Sequence, residues 1–231
     1  MIKSIIVKLS RVYKMLKGKD IFFPVQYRCN KIKYGKKGAD WTFCPDLINQ
    51  TSIIYSFGVG MDISFELEMI EKYGVKIYAF DPTPKSIEWL NKQSLPGEFV
   101  FSPIGIAEYD GNALFSFPDN PDYVSGSMTQ NMRKDNEKTE VKVNRLETIM
   151  KMYGHKSIDI LKMDIEGAEY KVIDDIINTG IDIKQILFEI HHRFENLDIK
   201  DTKTAFRKLN IAGYKIFNIS LNGEEYSFIK V

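Results

Sequence analysis

Four short segments carry residues whose types and spacing could do chemistry. In the first, Gly58-Val59-Gly60, glycine lets the backbone turn sharply and approach a ligand, and a helix following the turn favours an anionic group at its N-terminus. A dinucleotide fingerprint would want a third glycine at position 63, where Ile63 stands, and Asp62 would repel a pyrophosphate. A ligand with an amino-acid end and a sulfonium charge suits this acidic turn better. The second segment is Asp81, 21 residues after Gly60. At this spacing in doubly wound sheets an acid accepts hydrogen bonds from a ribose hydroxyl, although a turn acid could also cap the helix that follows.

The third segment is Lys162-Met-Asp164-Ile-Glu166-Gly-Ala-Glu169. Asp164 ends an apolar strand beside the expected switch point of the sheet, which assigns it a ligand role. Glu166 falls in the following turn and Glu169 about one turn into a helix, where acids also serve as caps and dipole partners. The fourth is Phe188-Glu189-Ile190-His191-His192-Arg193. A glutamate inside an apolar strand is expensive unless paired, so Glu189 calls for a partner at the site. Strand alternation sends His191 to the face of Glu189 and His192 to the opposite face, but the chain leaves the strand here and either ring could turn inward. A neutral imidazole near a substrate hydroxyl could act as general base, so the catalytic candidates are His191, His192, Asp164 and Glu189. Asp164, Glu189 and His191 could instead hold a divalent cation that acidifies a bound alcohol, although no dense ligand motif names a metal.

The elements that must position these residues follow from periodicity and turn chemistry. Residues 51–57 read as a buried strand, 63–73 as a helix and 75–80 as a second strand stopped by Asp81-Pro-Thr-Pro84. A helix at 86–92 and a strand at 98–102 continue the alternation. The pattern around Asp110-Gly111 predicts a hairpin over 105–117. Residues 118–139 form a long polar stretch expected to shape an acceptor pocket, with Tyr123, Ser125, Ser127 and Arg133. Then come a helix at 146–153, a strand at 158–163, a helix at 167–178, a strand at 185–190, a helix at 202–212 and a terminal hairpin of strands 214–220 and 226–231. Strand alternating with helix is the signature of an open parallel α/β sheet.

The 231 residues suit one domain with a small appendage, and 44% hydrophobic residues argue against global disorder. No apolar stretch approaches the roughly 20 residues of a membrane span. A formal net charge of +1 makes no case for a nucleic-acid partner, but it conceals an asymmetry. Residues 1–38 hold 11 Lys+Arg and one acid, Asp20, a balance of +10; the remaining 21 Lys+Arg and 30 Asp+Glu give −9. The expected division is therefore a basic arm, 1–38, and a catalytic domain, 39–231. In the arm, Ile2, Ile5, Ile6, Leu9, Val12, Tyr13 and Leu16 follow helical spacing as one stripe. That stripe is expected to pack against the main domain or a partner chain; the alternative is contact of residues 1–17 with an anionic membrane surface. Two cysteines without a C-x-x-C pair, and no convincing secretory signal, set the expectation of a cytoplasmic protein, possible membrane contact being peripheral.

Four runs, Tyr55-Ser-Phe-Gly-Val-Gly-Met-Asp-Ile-Ser-Phe65, Ala79-Phe-Asp-Pro-Thr-Pro84, Ile158-Asp-Ile-Leu-Lys-Met-Asp-Ile-Glu-Gly-Ala-Glu169 and Glu189-Ile-His-His192, resemble the FkbM-type methyltransferases, a branch of the class I S-adenosylmethionine-dependent enzymes. The resemblance spans roughly residues 40–231, and its D-x-E-G-x-E element is the most specific part. It implies a Rossmann-like doubly wound sheet of seven strands with a reversed last strand. It also implies methyl transfer, usually to a hydroxyl oxygen of a sugar or other small metabolite. By position it places Gly58 and Gly60 against the methionine part of the cofactor S-adenosylmethionine, Asp81 at the ribose and Asp164 near the methyl or the amine. The family's commoner first motif is D-x-G-A-N-x-G, whereas this chain has Ser56-Phe-Gly-Val-Gly-Met-Asp62, a departure at Asp62 and Ser64 that resembles a subgroup with G-V-G-x-D-I-S. Two other readings stand beside this one: a non-catalytic, membrane-associated binding module on the same fold, and a nicotinamide-dependent reductase, which the missing third glycine opposes.

Overall fold

The computed structural model describes residues 2–116, 139–192 and 197–231. Its central strands are short runs of β-branched and aromatic residues buried on both faces, as strands sandwiched between helix layers must be. In chain order the elements are α1 (Ile2–Leu16), β1 (Ile32–Tyr34), β2 (Trp41–Phe43), β3 (Ile53–Phe57), α2 (Ser64–Tyr73), β4 (Lys76–Phe80), α3 (Pro84–Leu90), β5 (Phe99–Ser102), β6 (Gly105–Ile106) and β7 (Gly111–Phe115). There follow β8 (Thr139–Asn144), α4 (Leu146–Tyr153), β9 (Ser157–Met163), α5 (Glu169–Thr179), β10 (Asp182–Glu189), α6 (Ile199–Ile211), β11 (Tyr214–Ile219) and β12 (Glu225–Lys230).

Seven strands form the main sheet in the order β11-β12-β10-β9-β3-β4-β5. The neighbours β3, β4, β5, β9 and β10 run parallel, whereas β12 is antiparallel to both β10 and β11. This is the doubly wound sheet with a reversed last strand that the resemblance implied. Chain order runs outward from β3 through β4 to β5, then resumes on its other side at β9. The crevice at the carboxyl ends of β3 and β9 is therefore the topological switch point, where open α/β sheets take their ligands. One core lies under α4, α5 and α6, around Ile149, Ile173 and Phe206; the other lies under α2, α3 and the β1–β2 hairpin, around Trp41, Phe65 and Leu90.

Two expectations are corrected. Residues 105–117 do not fold into a hairpin on themselves. β7 pairs antiparallel with β8 and β6 pairs parallel with the same strand, giving the order β6-β8-β7. The alternation at Ala113 and Phe115 was real, but its partner face, Val141 and Val143, lies beyond residues 117–138. The polar stretch with Tyr123, Ser125, Ser127 and Arg133 lies outside the described residues, save Thr139, which opens β8; Arg193 also lies outside them.

The second correction concerns the arm, whose stripe does not pack against the main domain. Arg11 donates to the Tyr226 hydroxyl at 3.0 Å, so α1 meets the body through its polar face. Its apolar residues Ile6, Leu9, Val12, Tyr13 and Leu16 are exposed. Downstream, Ile21 is buried, Phe23 packs on Phe206 at 4.7 Å, and the backbone of Gln26 donates to Ile216 at 2.7 Å. Position 38 falls in the turn between β1 and β2, where Tyr34 packs against Phe43 at 5.3 Å, so the chain passes from arm to body within one hairpin.

Candidate active site

The glycine turn after β3 is built by backbone proximity. Gly58 adopts φ +72°, and a Cβ there would fall 1.7 Å from the Asp164 carbonyl oxygen, so the ends of β3 and β9 approach as closely as only glycine allows. Its N–H donates to the Phe80 carbonyl at 2.9 Å, and the Asp164 N–H donates to Phe57 at 3.1 Å. Gly60, at φ +56°, differs: a Cβ there would meet nothing within 4 Å. Asp81 ties the turn to the end of β4, accepting from the Gly60 N–H at 2.9 Å and from the Thr83 N–H and hydroxyl at 2.9 and 2.6 Å. Asp81 is thus a turn acid that lines the crevice, while α3 begins after Thr83 with no side-chain cap. Asp62 accepts from the Ser64 N–H at 2.9 Å and stands at the start of α2.

These residues enclose a cavity of about 470 Å³. Its lining includes Gly58, Gly60, Asp62, Glu66, Asp81, Lys162, Asp164 and Glu166, with Trp41, Phe57, Phe80 and Phe115 as apolar walls. Five carboxylates face one ammonium, a donor set that suits a cationic or hydroxyl-rich ligand and disfavours a pyrophosphate. All five cofactor candidates, Gly58, Gly60, Asp62, Asp81 and Asp164, share this lining.

Behind Asp164 stands an acidic cluster around one imidazole. Glu169 is fully buried and turns back to accept from the N–H groups of Ile165 and Gly167, each at 2.9 Å. Its Oε1 also lies 2.9 Å from His191 Nδ1, which turns Nε2 toward Asp164 at 3.8 Å, Glu166 at 3.6 Å and Glu189 at 4.0 Å. Glu166 takes φ +54°, a left-handed conformation uncommon outside glycine, and it brings the carboxylate to the cavity. Burial opposes the charge on His191, but Glu169, Asp164 and Glu166 outweigh it and raise its pKa to about 10. Burial raises Glu189 to about 8, with Asp164 adding repulsion. Although a third of its side-chain surface is open, Asp164 is pushed up to about 6 by desolvation, against the pull of His191 and Lys162.

The surroundings of His191 run against a neutral base, since Glu169, Asp164 and Glu166 all favour its protonated form. His192 is also corrected. Alternation sends it away from the cluster, where Nδ1 lies 3.3 Å from the Thr202 hydroxyl and Nε2 3.9 Å from Asp20 of the arm. Among the described residues, the group able to converge on a metal is Asp164, Glu166 and His191, not the expected set with Glu189. Turn geometry is the reason, since the left-handed Glu166 reaches inward.

Two lining charges escaped the sequence reading. Lys162, buried in β9, donates to the Gly58 carbonyl at 3.3 Å, pairs with buried Glu66 at 3.6 Å and sits 5.3 Å from the Trp41 ring centroid. Ser56 donates to Glu66 at 2.5 Å. The signal for Lys162 was available, a charge inside an apolar strand as at Glu189. Glu66 gave none, because an acid in an amphipathic helix is ordinarily solvated.

A family model described as the methyltransferase FkbM domain matches residues 37–216. The human probable methyltransferase-like protein 24 is 26% identical over 198 residues, covering 78% of this chain and 48% of that protein. Its Rattus norvegicus counterpart is 27% identical over 156 residues, covering 66% and 36%. The chain thus spans about half the length of these curated relatives, or less. Among solved structures, a methyltransferase FkbM from Methylobacillus flagellatus aligns with a TM-score of 0.48 at 12% identity, covering 79% of this chain and 44% of that one.

Proposed function

The chain belongs to the methyltransferase FkbM domain family, and from that premise we propose that it is an S-adenosylmethionine-dependent methyltransferase acting on a hydroxyl oxygen of a sugar or other small metabolite. The observation that carries this reading is the acidic cavity at the switch point of the sheet. Its residues fit the cofactor on their own terms. Gly60 leaves open space where a side chain would stand, and carboxylates outnumber the Lys162 ammonium around the turn. S-adenosylmethionine, when bound, supplies a methyl group already activated on sulfonium.

The protein's task is then to bind, orient and exclude water. Gly58 and Gly60 let the backbone approach the amino-acid end, and Asp62 faces that end at the mouth of the turn. Asp81 keeps acceptor capacity for ribose hydroxyls, because a carboxylate offers about four lone-pair sites and three are engaged. Trp41, Phe57, Phe80 and Phe115 supply the apolar walls. Asp164 is the lining carboxylate best matched to take a proton from an acceptor hydroxyl near neutral pH, since its pKa of about 6 lies close to the working range. His191, held by Glu169, keeps a positive charge beside it. A second reading has its own observation: Asp164, Glu166 and His191 lie close enough to share a divalent cation, which would lower the acceptor's pKa instead.

Calorimetry with S-adenosylmethionine, alongside release of S-adenosylhomocysteine with a panel of hydroxylated acceptors, tests the reading. Binding that falls at least tenfold in Asp81→Asn, roughly one charge-assisted hydrogen bond, supports it. Wild-type affinity in Asp81→Asn, or a preference for NADH, would overturn it. A turnover unchanged by chelation removes the metal reading alone.

A further inference from the structure

We propose that α1 is a peripheral anchor that lays its apolar stripe on an anionic lipid surface. The orientation of the helix carries the inference. An amphipathic helix normally buries its apolar face; α1 leaves that face open and docks through Arg11 on its polar side. Arg11, on the polar side, reaches into the body, where a Cβ on Gly223 would fall 2.1 Å from its Nε and Tyr226 accepts from its Nη2 at 3.0 Å. On the opposite side, Leu9 is 64% and Leu16 82% exposed, with Ile6, Val12 and Tyr13 also open. Phe22, just past the helix, is 74% exposed as well.

Charge selects the occupant. Lys8 and Lys17 are exposed beside the stripe, within an arm whose balance is +10 against −9 for the rest of the chain. An anionic bilayer attracts the arm and repels the body, which sets both affinity and orientation. A second copy meeting stripe to stripe would bring two such basic arms together. Among the described residues no helix is long and apolar enough to cross a membrane, so the contact is one of lying on the surface. The docking also places the arm by the catalytic end of the sheet. Tyr226 is opposite Phe188 in register, and Asp20 approaches His192, the neighbour of His191. The anchor would thus hold the cavity near acceptors carried at a lipid surface. The surface contact itself does not depend on the methyl-transfer reading.

The test is sedimentation of the full chain with phosphatidylcholine vesicles, with and without phosphatidylglycerol, in the absence of cofactor. Binding to the anionic vesicles only, weakened by salt, is the expected result. Leu9→Asp combined with Leu16→Asp should lower it by more than roughly tenfold, because two exposed leucines lose their apolar contact. Lys8→Glu with Lys17→Glu should lower it while leaving thermal unfolding unchanged. Equal binding to uncharged vesicles, or binding unaffected by the leucine substitutions, would overturn the inference. So would a dimer in sedimentation velocity that the leucine substitutions dissociate while vesicle binding is absent. Since cofactor affinity is measured separately, failure here leaves the proposed function standing.

Discussion

Two clusters of buried charge flank the same glycine turn, and they are built differently. Under the turn, Glu66 and Lys162 pair with each other, and the Ser56 bond to Glu66 and the Lys162 bond to Gly58 keep the pair closed. Beside the turn, Asp164, Glu166, Glu169 and Glu189 surround the single imidazole of His191. The first cluster is balanced and holds a shape. The second sets four carboxylates against one imidazole, with burial first and neighbouring acids second raising the pKa values of Asp164 and Glu189, and such a cavity is an invitation to a cation.

The sharpest way to break this contrast is to unbalance the closed pair. Lys162→Ala leaves Glu66 buried without its cation, and a loss of about 3–5 kcal/mol in urea unfolding is expected. Lys162→Met with Glu66→Gln should recover most of it. If the single substitution costs nothing measurable, the pair is not what holds the turn.

A smaller effect is expected at His191. Its folded pKa of about 10 exceeds the ordinary 6.5, so the folded state binds the extra proton and stability is fully present below 6.5. It declines as pH rises through about 10. His191→Gln should therefore cost about 2–3 kcal/mol at pH 6, with the difference from the unmodified protein shrinking in alkali. A gap independent of pH would show that the imidazole is held by shape and not by charge.

The smallest effect is expected at Glu189, and it has the opposite sign. Its carboxyl is raised from 4.5 to about 8 by burial, so folding requires proton uptake and stability falls as pH climbs through that window. Glu189→Gln removes the requirement and should stabilise the protein by about 1–2 kcal/mol at pH 7, measured by chemical unfolding, while leaving stability near pH 4 unchanged. Destabilisation instead would mean that Glu189 is an essential partner of the cluster.

Much of the site was legible because its residues sit at strand ends. Buried runs stopped by Gly58, by Asp81-Pro82 and by Asp164 marked where the strands finish, and parallel strands bring such ends together. The pairing of β7 was less legible, since its partner β8 lies beyond a polar stretch with no period of its own. Glu189 was noticed as a charge in an apolar strand and Lys162 was not, although the signal is the same. The protonation of His191 could not be read at all. It depends on three acids gathered from a turn and a helix, and on Glu166 entering a left-handed conformation that its residue type does not announce.

Local pattern alone determined the alternation of main-sheet strands and helices, the glycine turn, the acids at successive strand ends and the uneven division of charge. Periodicity and turn chemistry act over a few residues, so they are written where they operate. Tertiary structure decided which way each group faces. His191 and His192 are neighbours in the chain, yet one enters the acidic cluster and the other meets Thr202 and Asp20. The stripe of α1 was evident as a stripe, but its outward direction was not. That direction follows from Arg11 finding Tyr226, 215 residues away, a contact between residues that only folding brings together.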